Sequence, residues 1–378
     1  MKNFPAVCKY LAIILIALNS FSWSNFAVSA EIVAGLTFDS HTARQRWKHN
    51  NQNLDNRSFS CPNLIEPIII FESSSIYKDT PCRCIIDPQK KAIYDNEIAI
   101  LRNYSKTLVK LADLYSKTPR ENPEIAQCAQ RHITHWSETG AMTGDHLSHV
   151  GYQKAGEILG VVAQTFNKIK HAEGIELPTS GTATYEWMRQ LSDSVLYFYD
   201  NLAGPNTRNN NHRYWDSFYL GSAAVVMNDH DLFNWAQQGL TIGLEQIQAD
   251  GTLPLEMARG SKAYRYHLYA VAPLVGLSQL MLRNQGSMSP SYSPYQYNQG
   301  ALANLIDLLL NDDTTIFTDK SAFNCSRSAW MEIYAHNVQY NNQAFYNRLK
   351  QQRQQCNSRL YSTNLGGDIS YYYGLKLD

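Results

Sequence analysis

The chain contains a long succession of segments in which apolar residues recur every three or four positions, and this pattern constrains its fold most. Such spacing places the apolar side chains on one face of a helix. Helices are predicted over 94–116, 122–140, 150–169, 185–202, 214–227, 231–248, 264–283, 299–310, 329–338 and 343–354. Strand signals are few and the connections are short. Successive amphipathic helices bury their apolar faces against one another, so we predict an all-α fold of antiparallel helical hairpins forming an incomplete α/α toroid.

Local signals mark the ends of several of these helices. Asn122 followed by Pro123 combines a capping side chain with a proline suited to the first turn. Asp231 is expected to cap the helix over 231–248, and Asp250-Gly251 to turn the chain after it. The polar loop from Asn206 to Asn211 is expected to precede a helix that begins near Tyr214.

Residues 1–30 have the pattern of a secretory signal peptide: a basic start, an apolar run over 11–18 and the small residues Val28-Ser29-Ala30. The apolar run is too short for a lasting membrane anchor. We therefore expect export to the periplasm and a mature chain, residues 31–378, that forms a single domain.

The balance of charge excludes one class of partner. The chain has 33 basic and 33 acidic residues, and removal of two lysines with the signal peptide would leave a net charge of −2. A nucleic-acid-binding protein usually carries an excess of positive charge. An anionic ligand would have to meet a local group of cations.

Six cysteines follow the signal peptide, and an even number in an exported protein favours disulfides. They are Cys61, Cys82, Cys84, Cys128, Cys325 and Cys356. Six cysteines allow fifteen complete pairings, and the sequence does not choose among them. Cys82 and Cys84 are too close to bridge each other comfortably. Their spacing is also poor for zinc ligands.

Two polar clusters about fifty residues apart contain the groups that suit β-elimination from a uronic acid polymer. The first is Asn211-His212, between Arg208 and Arg213; the second contains Arg259, Lys262, Arg265, Tyr266, His267 and Tyr269. The reaction removes a proton beside a carboxylate and protonates the departing glycosidic oxygen. An amide with a cation suits neutralisation of the carboxylate, and a phenol or imidazole suits both proton transfers.

Each cluster also has a simpler interpretation. The asparagines could cap a helix, and the second cluster could be a solvated basic face with a packed tyrosine. Arg259 and Tyr266 are seven residues apart, so on one continuous helix they would share a face. A guanidinium beside a phenol favours the phenolate, which would let Tyr266 both accept and donate a proton.

Other chemistries have weaker signals. His132, His135, His146 and His149 are spaced as two pairs that could bind a metal, but we expect them to line a groove or the surface. Paired acids of a glycoside hydrolase could come from Glu138, Glu256, Glu332 and Asp368, none of which lies in a telling motif. The sequence contains neither a glycine-rich phosphate loop nor a nucleophile elbow.

Several motifs in order give the chain a family resemblance. They are Asn210-Asn211-His212-Arg213-Tyr214-Trp215, Leu232-Phe233-Asn234-Trp235-Ala236, Asp250-Gly251-Thr252-Leu253-Pro254-Leu255-Glu256, Arg259, Tyr266-His267-Leu268-Tyr269, Pro273-Leu274 and Leu365-Gly366-Gly367-Asp368. With them, the chain resembles the periplasmic mannuronate-specific alginate lyases from Cys61 to about Asp368.

The resemblance implies β-elimination in a groove of an incomplete α/α toroid, without a metal or other cofactor. Asn211 and Arg259 would neutralise the carboxylate. Tyr266 would be the acid and, for mannuronate, also the base. His212 would assist neutralisation or serve as the base for the other epimer. Substrate-binding residues would be Trp215, Tyr269, Arg213, Lys262 and His267, with Tyr77 and Lys78 on a lid over about 61–90.

Two positions depart from the family pattern. The family's lid has Ser-Lys-Tyr, where this chain has Ser75-Ile76-Tyr77-Lys78. The family also has an arginine before Leu-Gly-Gly-Asp, where this chain has Asn364. Both changes remove or displace a cation that would meet a polyanion, so the preferred polymer could differ from plain polymannuronate.

Three hypotheses follow. The first is a lyase that cleaves a 1,4-linked uronate polymer, mannuronate-rich alginate above all, and leaves a 4,5-unsaturated end. The second is a non-catalytic polysaccharide-binding protein on the same scaffold that assists an exopolysaccharide secretion machinery. The third is a helical-toroid glycoside hydrolase with paired acids.

Overall fold

The computed structural model describes residues 38–47, 59–74, 76–78, 85–118, 122–146, 148–284, 293–311, 315–317, 325–338 and 342–374. The predicted signal peptide, Cys82 and Cys84 lie outside these residues. The described helices are α1 (Ser40–Trp47), α2 (Pro88–Lys117), α3 (Pro123–Glu138), α4 (His149–Ile169), α5 (Ala183–Tyr197), α6 (Asn211–Met227), α7 (His230–Gln246), α8 (Pro254–Met257), α9 (Ala263–Arg283), α10 (Tyr297–Leu310), α11 (Trp330–Val338), α12 (Gln343–Gln354) and α13 (Ile369–Tyr373). Two short strands, β1 (Tyr361–Ser362) and β2 (Gly367–Asp368), form an antiparallel pair. None of the described helices is long and apolar enough to cross a membrane.

The helices form the predicted α/α toroid, and the pattern of their contacts shows how. Alternate helices pack side by side as one layer, α2 against α4, α4 against α6, α6 against α9, and α9 against α11. Each also packs against the helix that follows or precedes it, as in the pairs α2–α3, α4–α5, α6–α7 and α11–α12. Three helices of this layer, α2, α6 and α9, contribute residues to the site.

All ten predicted helices are present, and the differences lie at their ends. Helix α6 begins at Asn211, three residues before the prediction, because the Asn210 side chain caps it by accepting from the backbone N–H of His212. Asp229, not Asp231, caps α7 by accepting from the backbone N–H of Leu232. Asn122 precedes α3 but makes no side-chain capping hydrogen bond.

Helix α6 lies at the centre of the fold, in close contact with α4, α7 and α9. Its aromatic residues pack against glycines of its neighbours. A Cβ atom at Gly160 of α4 would overlap the ring of Tyr219, and one at Gly276 of α9 would lie 2.9 Å from the ring of Phe218. The small residues let the helix axes approach, which fixes the start of α6 relative to α4 and α9.

The C-terminal motif Leu365 to Asp368 is held by a buried ion pair between α2 and α4. Asp113 of α2 pairs with Lys168 of α4 and accepts from the backbone N–H of Asp368. Lys168 also donates to the carbonyl of Gly366. Gly367 has φ of 114° beside Asp113, where a side chain would be both strained and blocked. This clamp fixes the hairpin that carries Ser362 and Asn364.

The four cysteines that the structure describes after the predicted signal peptide form two disulfides, in agreement with the prediction from the even count. Cys61 bonds to Cys128 of α3, and Cys325 bonds to Cys356 just after α12. The second bond ties a short 3₁₀ turn, Cys325–Arg327, to the end of α12.

Candidate active site

A cavity of about 630 Å³ lies where α2, α6, α9 and the C-terminal hairpin meet. Its volume is within the usual range for ligand sites. Its lining contains residues of both predicted clusters: Asn211, His212, Trp215, Arg259, Arg265, Tyr266 and Tyr269. A second cavity of about 370 Å³ shares His212 and Arg259 with the first and adds His149, Asn206, Thr207 and Asn210. The two cavities adjoin at the shared residues and together form a groove, which is the shape that a polymer site requires.

Asn211, the first residue of α6, is fully buried and held by Glu256 of α8. Its backbone N–H donates to Oε1 of Glu256 at 3.0 Å, and its Nδ2 donates to Oε1 and Oε2 at 2.8 and 2.9 Å. The Nδ2 group is therefore held by the carboxylate. The Oδ1 atom is buried without a hydrogen-bond partner among the described residues.

Glu256 is fully buried and orients two site residues. Burial raises the pKa of its carboxyl group, while the hydrogen bonds from Asn211 and the charge of Arg259 oppose that rise. The Arg259 Nε atom lies 3.9 Å from Oε2 of Glu256. From the sequence, Glu256 is a candidate only for an acid of a glycoside hydrolase. Its observed role is structural support beneath the amide and guanidinium of the site.

Arg259 and Tyr266 meet although they are not on one continuous helix. Arg259 precedes a 3₁₀ turn, Gly260–Lys262, and Tyr266 lies in the first turns of α9. The Arg259 Cζ atom is 4.7 Å from the centre of the Tyr266 ring. This distance is within the range of a cation–π contact. The predicted proximity is confirmed, but a turn and not a shared helical face produces it.

His212 is a neutral imidazole held by Gln153 of α4. Burial, aided by the charges of His149, Arg259 and Lys154, lowers the pKa of His212 to about 4. The Gln153 Nε2 atom lies 2.6 Å from Nδ1 of His212. An amide N–H is a donor, so in this arrangement Nδ1 accepts and the ring proton lies on Nε2. At neutral pH the ring therefore has one N–H to offer a ligand.

Trp215 and Tyr269 form an aromatic wall of the larger cavity. Their ring centres are 5.4 Å apart, and the indole Nε1–H donates to the backbone carbonyl of Tyr269 at 3.1 Å. Trp215 is almost completely buried, whereas Tyr269 is exposed. Aromatic faces of this kind suit the apolar faces of sugar rings, and Tyr269 is the more accessible of the two.

Three arginines besides Arg259 line the larger cavity, and of these only Arg265 belongs to the clusters predicted from the sequence. Arg102 comes from α2, Arg265 from α9 and Arg327 from the 3₁₀ turn Cys325–Arg327. All three are exposed, and no carboxylate of the described residues pairs with them. The smaller cavity has Arg259 as the one lysine or arginine among its described lining residues. Positive charge is therefore concentrated on one side of His212 and Arg259.

Two predicted binding residues point away from the groove. Arg213 is buried, with its guanidinium Cζ atom 3.1 Å from the centre of the Trp235 ring and Nη2 donating to the Trp235 carbonyl. His267 is fully buried, accepts from the backbone N–H of Leu253 at 2.9 Å and contacts the Ala263 carbonyl. Neither lines the cavities, because successive residues of a helix face different directions.

Three further predicted binding residues are exposed but do not line either cavity. Lys262 lies in the turn before α9. Tyr77 pairs with Ile86 in an isolated antiparallel bridge, and Lys78 donates its backbone N–H to the carbonyl of Ile85. These contacts pair residues 76–78 with 85–87 in the predicted lid, and residues 79–84 lie outside the described part of the chain.

The alternative chemistries lack the necessary arrangement. Neither cavity has an aspartate or glutamate among its described lining residues, so the paired acids of a hydrolase are not brought together. Glu332 instead pairs with Arg353, and Asp368 with Lys117 and Arg359.

None of the candidate metal-ligand groups among the described residues contains two of the four histidines. His132 and His146 are buried, contrary to the prediction that they would line a groove or the surface, whereas His149 lines the smaller cavity. His132 lies beside Cys61 and Cys128. Those cysteines are bonded to each other and thus provide no thiolate ligands.

Comparisons with known proteins agree with this arrangement. A family model described as "Alginate lyase" matches residues 92–315. An alginate lyase of Pseudomonas paraeruginosa is 26% identical over 291 residues, which cover 73% of this chain and 76% of the relative. The crystal structure of alginate lyase A1-III from Sphingomonas species A1 superimposes with a TM-score of 0.70 at 16% identity, covering 92% of this chain and 97% of that one. A variant of alginate lyase A1-III complexed with a tetrasaccharide gives a TM-score of 0.67 at 14% identity, covering 92% and 96%.

Proposed function

Because the chain belongs to the alginate lyase family, we propose that this polysaccharide lyase cleaves mannuronate-rich alginate by β-elimination and leaves a 4,5-unsaturated end. The observation that carries the proposal is the meeting of Arg259, Tyr266 and His212 in one groove lined by aromatic residues. The tetrasaccharide complex of a protein with the same fold supports a polymer substrate for the groove.

Neutralisation of the substrate carboxylate is assigned to Arg259 and His212. Arg259 provides a permanent positive charge, and the neutral His212 ring provides an N–H group. Both residues line both cavities. A sugar cleaved at the junction of the two cavities would therefore lie beside them. Withdrawal of charge from the carboxylate makes the neighbouring C5 proton more acidic. Asn211, whose Nδ2 is held by Glu256, lines the larger cavity beside these two residues.

Tyr266 is assigned both proton transfers. The deprotonated oxygen of Tyr266, which lines the larger cavity beside Arg259, would accept the C5 proton, and the resulting phenol would donate to the glycosidic oxygen as the C4–O bond breaks. One residue suffices where the proton and the leaving oxygen are on the same face of the sugar, as in mannuronate. For the other epimer the proton lies on the opposite face. A His212 ring protonated on Nε2 would be a poor base there, which favours mannuronate as the substrate.

The substitution Tyr266→Phe tests this assignment, because it removes one oxygen and keeps the ring beside Arg259. We expect turnover of polymannuronate to be abolished while oligosaccharide binding is largely retained. Turnover is followed by the absorbance of the unsaturated end, and binding by calorimetry. Turnover near the wild-type rate would show that another residue transfers the protons.

The protein is also proposed to act in the periplasm, after export directed by residues 1–30. An anionic polysaccharide would be its partner there, and an exopolysaccharide secretion machinery a further one. Fractionation of cells that express the full chain, with N-terminal sequencing of the product, tests export. Retention of residues 1–30 in a cytoplasmic product would contradict it.

A further inference from the structure

Arg327 lines the larger cavity from a short turn and not from a long helix. It ends the 3₁₀ turn Cys325–Arg327, whereas Arg102 and Arg265 project from long helices. The turn contacts β1, and its cavity neighbours include Ser362 and Asn364 of the C-terminal hairpin. Arg327 is exposed, and among the described residues no carboxylate neutralises it. Its charge is therefore available to an anion in the groove.

The turn is fixed by a covalent bond to a buried anchor. Cys325 is bonded to Cys356, whose carbonyl oxygen accepts from Nη1 of Arg353 at 2.8 Å. Arg353 in turn pairs with Glu332, and both side chains are almost completely buried. Ser370 donates to the same Glu332 carboxylate at 2.7 Å. The disulfide thus joins an exposed turn to a packed ion pair between α11 and α12.

We propose that Arg327 binds a carboxylate of the uronate chain at a sugar beyond the cleaved bond, and that the Cys325–Cys356 disulfide is what holds it in place. This inference rests on the proposed function, since it takes the groove to hold a uronate polymer. Such a polymer has one carboxylate per sugar, so an arginine at the groove edge meets a charge wherever a sugar passes. Arg327 is then a positioning residue for the polymer and not a catalytic one.

The concentration of cations on one side of the cleavage point supports this role. Arg102, Arg265 and Arg327 line the larger cavity, and none of them lines the smaller one. A short oligosaccharide that fills only the smaller cavity and the cleavage point would not reach Arg327. The contribution of Arg327 should therefore grow with chain length, which a general effect on folding would not do.

The experiment measures binding in a Tyr266→Phe background, so that it does not depend on catalysis. The dissociation constants of a mannuronate dimer and of longer mannuronate oligomers are measured by calorimetry for this background and for the same protein with Arg327→Gln. Arg131→Gln is the matched control, because Arg131 is an exposed arginine of α3 that lines neither cavity of the groove. A third variant replaces both Cys325 and Cys356 with serine.

We expect Arg327→Gln to weaken binding of the longer oligomers about two- to fivefold at low salt, the effect of one exposed ion pair, and to leave the dimer unchanged. The effect should fade at high salt. The double serine variant should weaken the same oligomers, and adding Arg327→Gln to it should cause little further loss. Equal binding by Arg327→Gln and its background would overturn the role of the arginine. Fully additive losses would overturn the role of the disulfide.

Two controls keep the outcome interpretable. Thermal unfolding shows whether the double serine variant is folded, and Arg327→Gln, which keeps the disulfide, tests the arginine in either case. If the wild-type protein fails to produce unsaturated ends but the background binds oligomers, the proposed reaction is wrong while the binding role of Arg327 is still measured. The two failures are thus distinguished.

Discussion

Replacement of Glu256 tests whether a buried carboxylate outside the cavity lining controls catalysis. In the structure, Glu256 accepts from two donors of Asn211, the backbone N–H and Nδ2. A hydrogen bond to a charged group stabilises by about 1.5–3 kcal/mol. With Glu256→Ala both donors lose their acceptor, and Asn211 is free to leave its position. If the loss of one such bond raises the activation free energy by the same amount, kcat falls about 10- to 150-fold.

The assay is the initial rate of formation of unsaturated ends from polymannuronate, with thermal unfolding measured on the same samples. Glu256→Gln keeps one carbonyl oxygen as an acceptor and should lose less activity than Glu256→Ala. Asp229→Asn is the matched control: Asp229 caps α7 and pairs with Arg189, so its loss should reduce stability without reducing kcat.

A double-mutant cycle with Asn211→Ala separates support of Asn211 from other effects. If Glu256 acts through Asn211, the second substitution adds little to the first, and the coupling energy is about 1–3 kcal/mol. Additive losses in the cycle would refute the reasoning. A Glu256→Ala protein that is less stable but keeps the wild-type kcat would refute it as well.

Further predictions concern pH, tautomer and charge. Burial, aided by Arg283 and Arg46, lowers the pKa of His336 from 6.5 to about 4, so the unfolded chain binds a proton that the folded chain excludes. Stability should therefore be lost as pH falls from about 6.5 to 4, by about 3 kcal/mol at most, and His336→Gln should reduce this loss in chemical denaturation. Gln153→Ala should free Nε2 of His212 to accept a proton and raise the rate on polyguluronate relative to polymannuronate, measured with both polymers; an unchanged ratio would contradict the assigned tautomer. Asn364→Arg should lower KM for long mannuronate oligomers about two- to fivefold by adding a cation to the cavity, and an unchanged KM at low salt would count against an anionic ligand there.

The helices were predictable because their apolar spacing is a local property. All ten appear, and the errors lie at their ends. Asp229 and Asp231 are both able to cap a helix, and in the structure Asp229 accepts from the backbone N–H of Leu232. The sequence likewise favoured a late start for α6, whereas the Asn210 side chain allows the helix to begin at Asn211.

The candidate site was predictable where its residues are close in sequence. His212 and Trp215, and likewise Tyr266 and Tyr269, are three apart and reach the same cavity. His267 was assigned to the site although its position on α9 directs it into the core. Glu256, Gln153 and Arg327 were not recognised as supporting residues, because their roles depend on contacts between elements far apart in the chain. Gln153 contacts His212, which lies 59 residues further along the chain, so no local sequence pattern indicates this contact.

The central claim, β-elimination from mannuronate-rich alginate, is tested most directly by a panel of polymers. The purified chain from Glu31 onwards is incubated with polymannuronate, polyguluronate and other uronate polymers, and the absorbance of the unsaturated end is recorded together with new reducing ends. We predict that both signals rise in step, fastest with polymannuronate. Reducing ends without the unsaturated product, or polymer binding without either signal, would contradict the claim.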